Sequence, residues 1–160
     1  MIKKSGRKRD TCSEFHGGAD REDSMAAEII SAYRPSFRTS RAKLEVIREG
    51  IRSQALVDFM RIAGITQAAL ARILSVSEPT IRKYIRDGRP LDSRLSDHLL
   101  QLFELHDQGI DTFGSLKEFR NWLRCCQLVL GARPIDLLDT CTGMGLVRNE
   151  LLRIDHGMLA

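Results

Sequence analysis

Four basic side chains, Arg82, Lys83, Arg86 and Arg89, lie close together near the middle of this sequence. In a helix, cations three and four residues apart are neighbours on one surface, where they can pair with the phosphates of a polyanion. Short polar residues just before them are of the kind that hydrogen-bond the edges of bases. These residue types and spacings therefore indicate nucleic-acid binding.

Two of the cations belong to the segment TQAALARILSVSEPTIRKYI, which runs from Thr66 to Ile85, and Arg86 and Arg89 lie just beyond it. Apolar residues recur at helical spacing in both halves of this segment, so it predicts two short helices joined by a tight turn, as in a DNA-reading helix-turn-helix. The diagnostic positions of that motif hold a small Ala71, a turn residue Ser75 and an apolar Ile81. Glycine is usual at the turn position, and serine is a mild departure. A plain helical hairpin that only packs into a core is the alternative.

The predicted DNA surface is the first part of the second helix together with the cations on it and just beyond it. Residues near the N-terminus of that helix are expected to face base edges, and the outer polar and basic residues to suit phosphates. Glu78 either accepts a hydrogen bond from a cytosine amine or complements the helix N-terminus. The predicted DNA-binding residues are Gln67, Ser77, Glu78, Thr80, Arg82, Lys83, Arg86 and Arg89.

The other reactive residue types form no catalytic or metal-binding pattern. Asp136 and Asp139 lie three residues apart, but no nucleophile, histidine or metal cluster accompanies them. The four cysteines include no Cys-x-x-Cys pair and no histidine at zinc-ligand spacing, so we expect reduced thiols in the cytosol. We therefore predict that the protein is not an enzyme and uses no metal and no cofactor.

The composition is that of a globular protein, with 42% hydrophobic residues, 29% charged residues and a formal net charge of +4. No apolar run is long enough to span a membrane, and no apolar segment follows the basic N-terminus, so we expect a cytoplasmic protein. Basic residues outnumber acidic ones over residues 1–103, and the order reverses over residues 104–160. This asymmetry suits an anionic polymer at one end and a different partner at the other.

The chain is expected to be all-α, because it contains no alternating strand pattern of useful length. Residues 1–24 have few apolar residues and no periodicity, which predicts a disordered basic arm. Residues 25–103 are predicted to form the helix-turn-helix domain, which opens with a short helix that ends before Pro35. Residues 104–160 are predicted to form a small helical domain packed against it, beginning with a loop at residues 106–114, HDQGIDTFG.

Capping residues predict several helix ends. Thr66 and Ser77 are expected to cap the two helices of the hairpin, and Asp92 or Ser93 the helix that follows. Gly64 is expected to end the helix before the hairpin.

The sequence from Phe119 onward, FRNWLRCCQLVLGARPIDLLDTCTGMGLVRNELLRIDHGMLA, resembles the toxin-binding domain of Xre/MbcA/ParS-type antitoxins. Upstream, IREGI, the hairpin and GRPLDSRLSDHLLQL resemble the Xre-like half of the same proteins, so the resemblance covers roughly residues 43–160. The family often has Pro-Asn where this chain has Cys126-Gln127. The matching positions are Trp122-Leu123, Leu130-Gly131, Pro134, Leu137-Leu138, Thr140, Gly143, Val147 and LLRIDHG from Leu151 to Gly157.

The resemblance implies a dimeric antitoxin of a type II toxin–antitoxin system. Its partner would be a RES-domain toxin, an enzyme that consumes NAD or uses it for ADP-ribosyl transfer, whose active site the antitoxin obstructs. The helix-turn-helix would bind duplex operator DNA and repress the antitoxin's own operon. The residues expected to bind the toxin lie on the last helix and at the end of the chain, and they are Arg148, Glu150, Arg153, Asp155, His156, Gly157, Met158, Leu159 and Ala160.

The end of the chain has features of its own that fit this role. Gly157 provides a flexible joint, and the apolar tip Met158–Ala160 could enter a pocket built for a dinucleotide. His156 has an alternative interpretation, as a solvated residue that is favourable to the dipole of the last helical turn. Trp122 is expected in the core. The alternative function is a stand-alone helix-turn-helix repressor whose C-terminal domain serves interaction or ligand sensing.

Overall fold

The computed structural model describes residues 17–157, and therefore neither residues 1–16 of the predicted arm nor the tip at residues 158–160. Within the described range the chain forms eight α-helices, one short 3-10 helix and no β-strand, so the predicted all-α fold is confirmed. The 3-10 helix, Pro134–Leu137, lies between α7 and α8. The α-helices are α1 Gly17–Phe37, α2 Ser40–Glu49, α3 Gln54–Ala63, α4 Gln67–Ile73, α5 Glu78–Asp87, α6 Ser93–Phe113, α7 Leu116–Arg124 and α8 Cys141–Asp155.

Polar caps set several helix boundaries where the sequence predicts them. The hydroxyls of Thr66 and Ser77 each accept a hydrogen bond from the backbone N–H three residues later, at 3.2 and 3.3 Å. Asp92, and not Ser93, caps α6 with its carboxylate at 2.9 Å from the N–H that it accepts. Gly64 ends α3 in the left-handed conformation, with φ at 61°.

The first helix begins inside the segment predicted to be a disordered arm, residues 1–24, and that prediction is wrong for residues 17–24. Contacts with α7 hold this stretch in place. The Asp23 carboxylate accepts a hydrogen bond from the first backbone N–H of α7 at 2.8 Å, and Glu22 forms an ion pair with Arg120 at 2.9 Å. Because these partners are more than ninety residues away in the sequence, local composition does not reveal them.

The first helix also runs past Pro35 and ends at Phe37, so the predicted end before the proline is wrong. Proline has no N–H and removes one backbone hydrogen bond from the last turns of the helix. Two contacts offset this loss. Phe37 is buried in the core, and Arg34 forms a two-bond ion pair with Asp107 of α6.

Residues 106–113 form the last two turns of α6 and not the predicted loop, so that prediction is wrong as well. Gly109 is in the helix for a packing reason, because a Cβ at this position would collide with the ring of Phe119 in α7. Gly114, with φ at 78°, ends the helix. The predicted domain boundary at residues 103/104 falls inside α6, so the helix continues from one half of the chain into the other.

The long helix α6 is the centre of the core, and α1, α2, α3, α7 and α8 pack against it. Phe103 of α6 stacks on Tyr33 of α1 with ring centroids 4.3 Å apart, and it meets Phe59 of α3 edge to face at 5.4 Å. Trp122 packs on the edge of this core and stays partly exposed, with its ring 5.4 Å from that of Phe113. One continuous core therefore holds both halves of the described chain.

His106 of α6 is an imidazole buried in this core. Its ring meets those of Phe59 and Phe119 edge to face, and its Nδ1 lies 2.9 Å from the carbonyl oxygen of Leu102. Burial lowers the pKa of His106 to about 4; the Leu102 hydrogen bond opposes this change, and the charge of Arg120 adds to it. The imidazole is therefore neutral at neutral pH, and its Nδ1 carries the proton donated to Leu102.

The burial of His106 predicts an acid-sensitive fold. The imidazole takes up a proton near pH 6.5 in the unfolded chain, but only near pH 4 in the folded chain. The unfolded state therefore binds more protons in this window, and the free energy of unfolding falls as the pH decreases. From pH 6.5 to about pH 5 we expect His106 to contribute a loss on the order of 1–2 kcal/mol.

Urea unfolding at several pH values measures this loss, with His106→Leu as the test variant and His156→Leu, at an exposed histidine, as the control. The control should keep the pH dependence of the parent chain, and His106→Leu should show a weaker one. If the free energy of unfolding depends on pH identically in all three chains, His106 is not the source of the acid sensitivity.

Candidate functional site

The helices α4 and α5 form the hairpin predicted from the sequence. Ala71 is 3% exposed where the helices cross, and Ile81 is fully buried, as the motif requires. Ser75 lies in the turn with φ at 53°, and within residues 17–157 it is the one non-glycine residue with positive φ. Left-handed backbone is disfavoured for residues with a Cβ, which explains why glycine is usual at this position.

The first turn of α5 brings the predicted base-reading residues together on an exposed surface. The hydroxyl oxygens of Ser77 and Thr80 are 2.8 Å apart, and Glu78 pairs with Arg82 at 2.9 Å. An exposed ion pair of this kind contributes at most about 1 kcal/mol, so both partners can exchange it for contacts with DNA. The group is thus ordered in the free chain but remains available to bases.

The remaining predicted DNA-binding residues surround that group. Lys83 and Arg86 are exposed, and the guanidinium of Arg89 lies over the ring of Tyr84, 4.8 Å from its centroid. Gln67, at the start of α4, differs because its Nε2 is buried without a hydrogen-bond partner. A contact between this atom and a phosphate requires the side chain to turn outward.

The helix α8 carries the C-terminal candidate residues and is fixed at its start. Thr140 caps it, with Oγ1 accepting a hydrogen bond from the N–H of Gly143 at 3.1 Å. Gly143 permits close contact with the 3-10 helix, because a Cβ there would collide with the carbonyl oxygen of Leu137. The apolar side chains that bury one face of α8 are Met144, Val147 and Leu151.

Three of the predicted toxin-binding residues on α8 have partners within the chain. Arg148 donates to the Glu104 carboxylate of α6 at 3.2 Å, and that carboxylate also accepts from Lys43 of α2 at 2.9 Å. Glu150 forms an ion pair with Arg153 at 2.7 Å. Arg148 therefore links α8 to α6, while Glu150 and Arg153 hold each other on the helix.

The end of α8 is exposed to solvent. The helix ends at Asp155, and the backbone N–H groups of His156 and Gly157 donate to carbonyls of the last turn at 3.1 and 3.0 Å. Gly157 has φ at 64°, a conformation that turns the chain out of the helix and favours glycine. The predicted apolar tip, Met158–Ala160, lies outside the described residues.

Two arginines of α7 that the sequence did not reveal as important join the C-terminal half to the end of α3, directly before the hairpin. Arg120 donates to the carbonyls of Ile62 and Arg61, both at 2.8 Å, and Arg124 donates to that of Gly64 at 3.0 Å. These carbonyls are at the C-terminal end of α3, where they have no helical partners and carry the negative end of the helix dipole. The spacing of four between the arginines was the available signal, but it does not identify their partners.

The described residues, 17–157, contain no group of three or more His, Cys, Asp or Glu that could hold a metal ion. No helix in this part of the chain is long and apolar enough to cross a membrane. Asp136 forms two hydrogen bonds with Arg133, at 2.7 and 3.0 Å. This aspartate thus has a structural partner at the surface.

Two family models match the chain. Residues 42–104 match the antitoxin Xre-like helix-turn-helix domain, and residues 108–157 match the antitoxin Xre/MbcA/ParS C-terminal toxin-binding domain. A DNA-reading hairpin followed by a toxin-binding unit defines an antitoxin, a protein that binds DNA and a toxin protein and is not an enzyme. The chain belongs to the Xre/MbcA/ParS antitoxins.

The chain is also similar to a curated protein of Sphingobium sp. (strain YBL2), named Prs ADP-ribosylating antitoxin. The two are 29% identical over 159 residues, which cover 92% of this chain and 99% of the relative. The similarity therefore runs along nearly the whole of both proteins.

The strained turn of the hairpin gives a prediction about stability. Replacing Ser75 by glycine should raise the free energy of unfolding by about 0.5 kcal/mol, because relief of left-handed strain exceeds the added entropy of glycine in the unfolded chain. The matched change Ser77→Ala removes the cap of α5 and should lower the free energy of unfolding by about 1 kcal/mol. Urea unfolding measures both changes, and a less stable Ser75→Gly protein would contradict the role assigned to this turn.

Proposed function

We propose that this antitoxin neutralises a RES-domain toxin that consumes NAD, and that its closing segment, Arg153–Ala160, obstructs the active site of that toxin. The exposed end of α8, followed by a turn at Gly157, is the observation that carries this proposal. The name of the Sphingobium relative includes ADP-ribosylation, a reaction in which NAD supplies the ADP-ribose. That chemistry agrees with a partner toxin whose cofactor pocket is built for a dinucleotide.

The closing segment has the chemistry to occupy such a pocket. Asp155 and His156 are exposed and supply polar groups, and the residues after Gly157 are apolar. Ordering each residue opposes binding by about 1–2 kcal/mol, an amount that burial of an apolar side chain such as Met158 or Leu159 can offset. The partly exposed ion pair between Glu150 and Arg153 keeps the base of the segment helical.

We further propose that a homodimer of the antitoxin binds operator DNA through α5 and represses its own operon. A dimer would present two recognition helices to half-sites about one helical turn of DNA apart. The support in this chain is the exposed group of polar and basic side chains on α5. The toxin-binding match over residues 108–157 favours this function over that of a stand-alone repressor.

The obstruction mechanism predicts a separation between binding and inhibition. Deleting Gly157–Ala160 should leave folding and DNA binding unchanged, because Gly157 is exposed and contributes no side chain to the core. The toxin should still associate with α8 but should regain NAD consumption in the complex. NAD turnover by the purified complex measures this, and growth arrest on co-expression is the expected readout in cells.

The full chain is the control for that deletion and should protect cells. If the truncated chain protects equally well, inhibition comes from the helix face around Arg148 and Glu150 or from assembly alone, and the closing segment is not the obstruction.

DNA binding predicts different effects for two neighbouring cations. Arg82→Ala should weaken binding to the operator by about 1–3 kcal/mol if Arg82 reads a base. Lys83→Ala should weaken binding to all sequences alike and reduce the slope of log affinity against log salt by about one. Fluorescence anisotropy across a salt series measures both effects. Arg41→Ala, at an exposed arginine of α2 outside the hairpin, is the control. It should change neither the operator affinity nor the slope of log affinity against log salt. Unchanged operator affinity in an Arg82/Lys83/Arg86 triple alanine chain would rule out this surface.

A further inference from the structure

A short turn between α7 and the 3-10 helix presents two aliphatic side chains to solvent. Leu128 is 99% exposed and Val129 is 63% exposed. The surrounding segment CCQLVLGA, from Cys125 to Ala132, contains no charged residue, although 29% of the whole chain is charged. Single exposed leucines are ordinary, but an exposed aliphatic pair at the tip of an uncharged turn is typical of an interaction site.

The turn is held in shape by hydrogen bonds. Gln127 and Ala132 pair as an isolated β-bridge, with the N–H of Gln127 donating to the Ala132 carbonyl at 3.0 Å. The N–H groups of Leu130 and Gly131 donate to the Gln127 carbonyl at 3.2 and 2.9 Å, and the Gln127 side chain donates to the Cys125 carbonyl at 3.2 Å. Leu128 and Val129 are therefore presented on an ordered backbone, so little further ordering opposes binding.

We propose that Leu128 and Val129 form an apolar anchor that inserts into a hydrophobic pocket of the toxin, as a contact separate from the closing segment. This inference rests on the proposed function, because it names a second contact with the same partner. The turn lies inside residues 108–157, which match the toxin-binding domain. It joins the start of α8 through the 3-10 helix, whereas the closing segment follows the end of α8.

The length of α8 separates the two contacts along the chain. A helix of 15 residues is about 22 Å long. The anchor thus holds the toxin at one end of α8, and the closing segment reaches the active site from the other. Arg148 and Glu150 of α8 lie between the two contacts in the sequence and are charged, as residues at the polar rim of an interface commonly are.

A protein pocket suits this turn better than the other partners of the chain. An uncharged aliphatic tip offers nothing to the phosphates of DNA. A two-fold contact between copies of this chain places identical patches against each other. The surface of two side chains is far smaller than the roughly 800 Å² that each partner buries in a standard interface. A pocket on a larger toxin surface buries both side chains without requiring a large patch on this chain.

The test compares the full chain with Leu128→Ser/Val129→Ser for binding to a purified RES-domain toxin, the partner proposed above. Leu44→Ser, at a leucine of α2 that is 45% exposed, is the matched control outside the toxin-binding match. The double variant should bind the toxin at least about tenfold more weakly, because burial of exposed aliphatic side chains drives the contact. The control should bind as the parent chain does. All three chains should keep the same helical content by circular dichroism.

A toxin affinity equal to that of the parent chain would overturn the anchor. Loss of self-association with unchanged toxin affinity would overturn it as well, and would assign the turn to a contact between copies. At saturating concentration the double variant should still inhibit NAD consumption, since its closing segment is intact. Loss of inhibition at saturation would show that the turn is part of the inhibiting contact and not a separate anchor.

The experiment distinguishes this inference from the proposed function. Failure of the parent chain to bind or inhibit the toxin would overturn the proposed function, and the anchor with it. Inhibition by the parent chain together with full affinity of the double variant would overturn the anchor alone.

Discussion

The contact between two arginines of α7 and the C-terminal end of α3 is the interaction on which the arrangement of this antitoxin depends. Arg120 and Arg124 donate to three backbone carbonyls at the end of the helix that directly precedes the hairpin. Without these donors, the carbonyls at that helix end would lose their partners within the protein. Arg120 is also paired with Glu22 of α1, and the side chain of Arg120 is only 15% exposed. The toxin-binding half is thereby fixed to the DNA-reading half.

One consequence is that the DNA-reading and toxin-binding surfaces belong to the same packed body. Helix α6 runs through both halves, and His106, Phe103 and Gly109 along it contact α3, α1 and α7. The hairpin leaves one face of α5 free, and the C-terminal half leaves free the turn at Leu128 and the end of α8.

The sequence predicts the features that depend on local patterns. The hairpin, its caps at Thr66 and Ser77, and the last helix all follow from periodicity and capping residues that lie within a few positions of one another. The start of α1 and the contacts of Arg120 depend on partners 58 to 98 residues away, which composition cannot indicate. The helical turns around Gly109 were missed because glycine normally favours loops, whereas here it makes room for the ring of Phe119. The turn at Leu128 and Val129 was not predicted, because its shape depends on the backbone hydrogen bonds of Gln127.

The central claim, that both halves form one cooperative body, can be tested by unfolding the full chain in urea with two probes. Trp122 is the single tryptophan of the chain and packs on Phe113 and Phe119, so its fluorescence reports on the C-terminal half. Far-ultraviolet circular dichroism reports on the helices of both halves. If both halves unfold as one cooperative body, the two transitions have the same midpoint and superimpose. Two separate midpoints would show that the halves unfold independently and would contradict this claim.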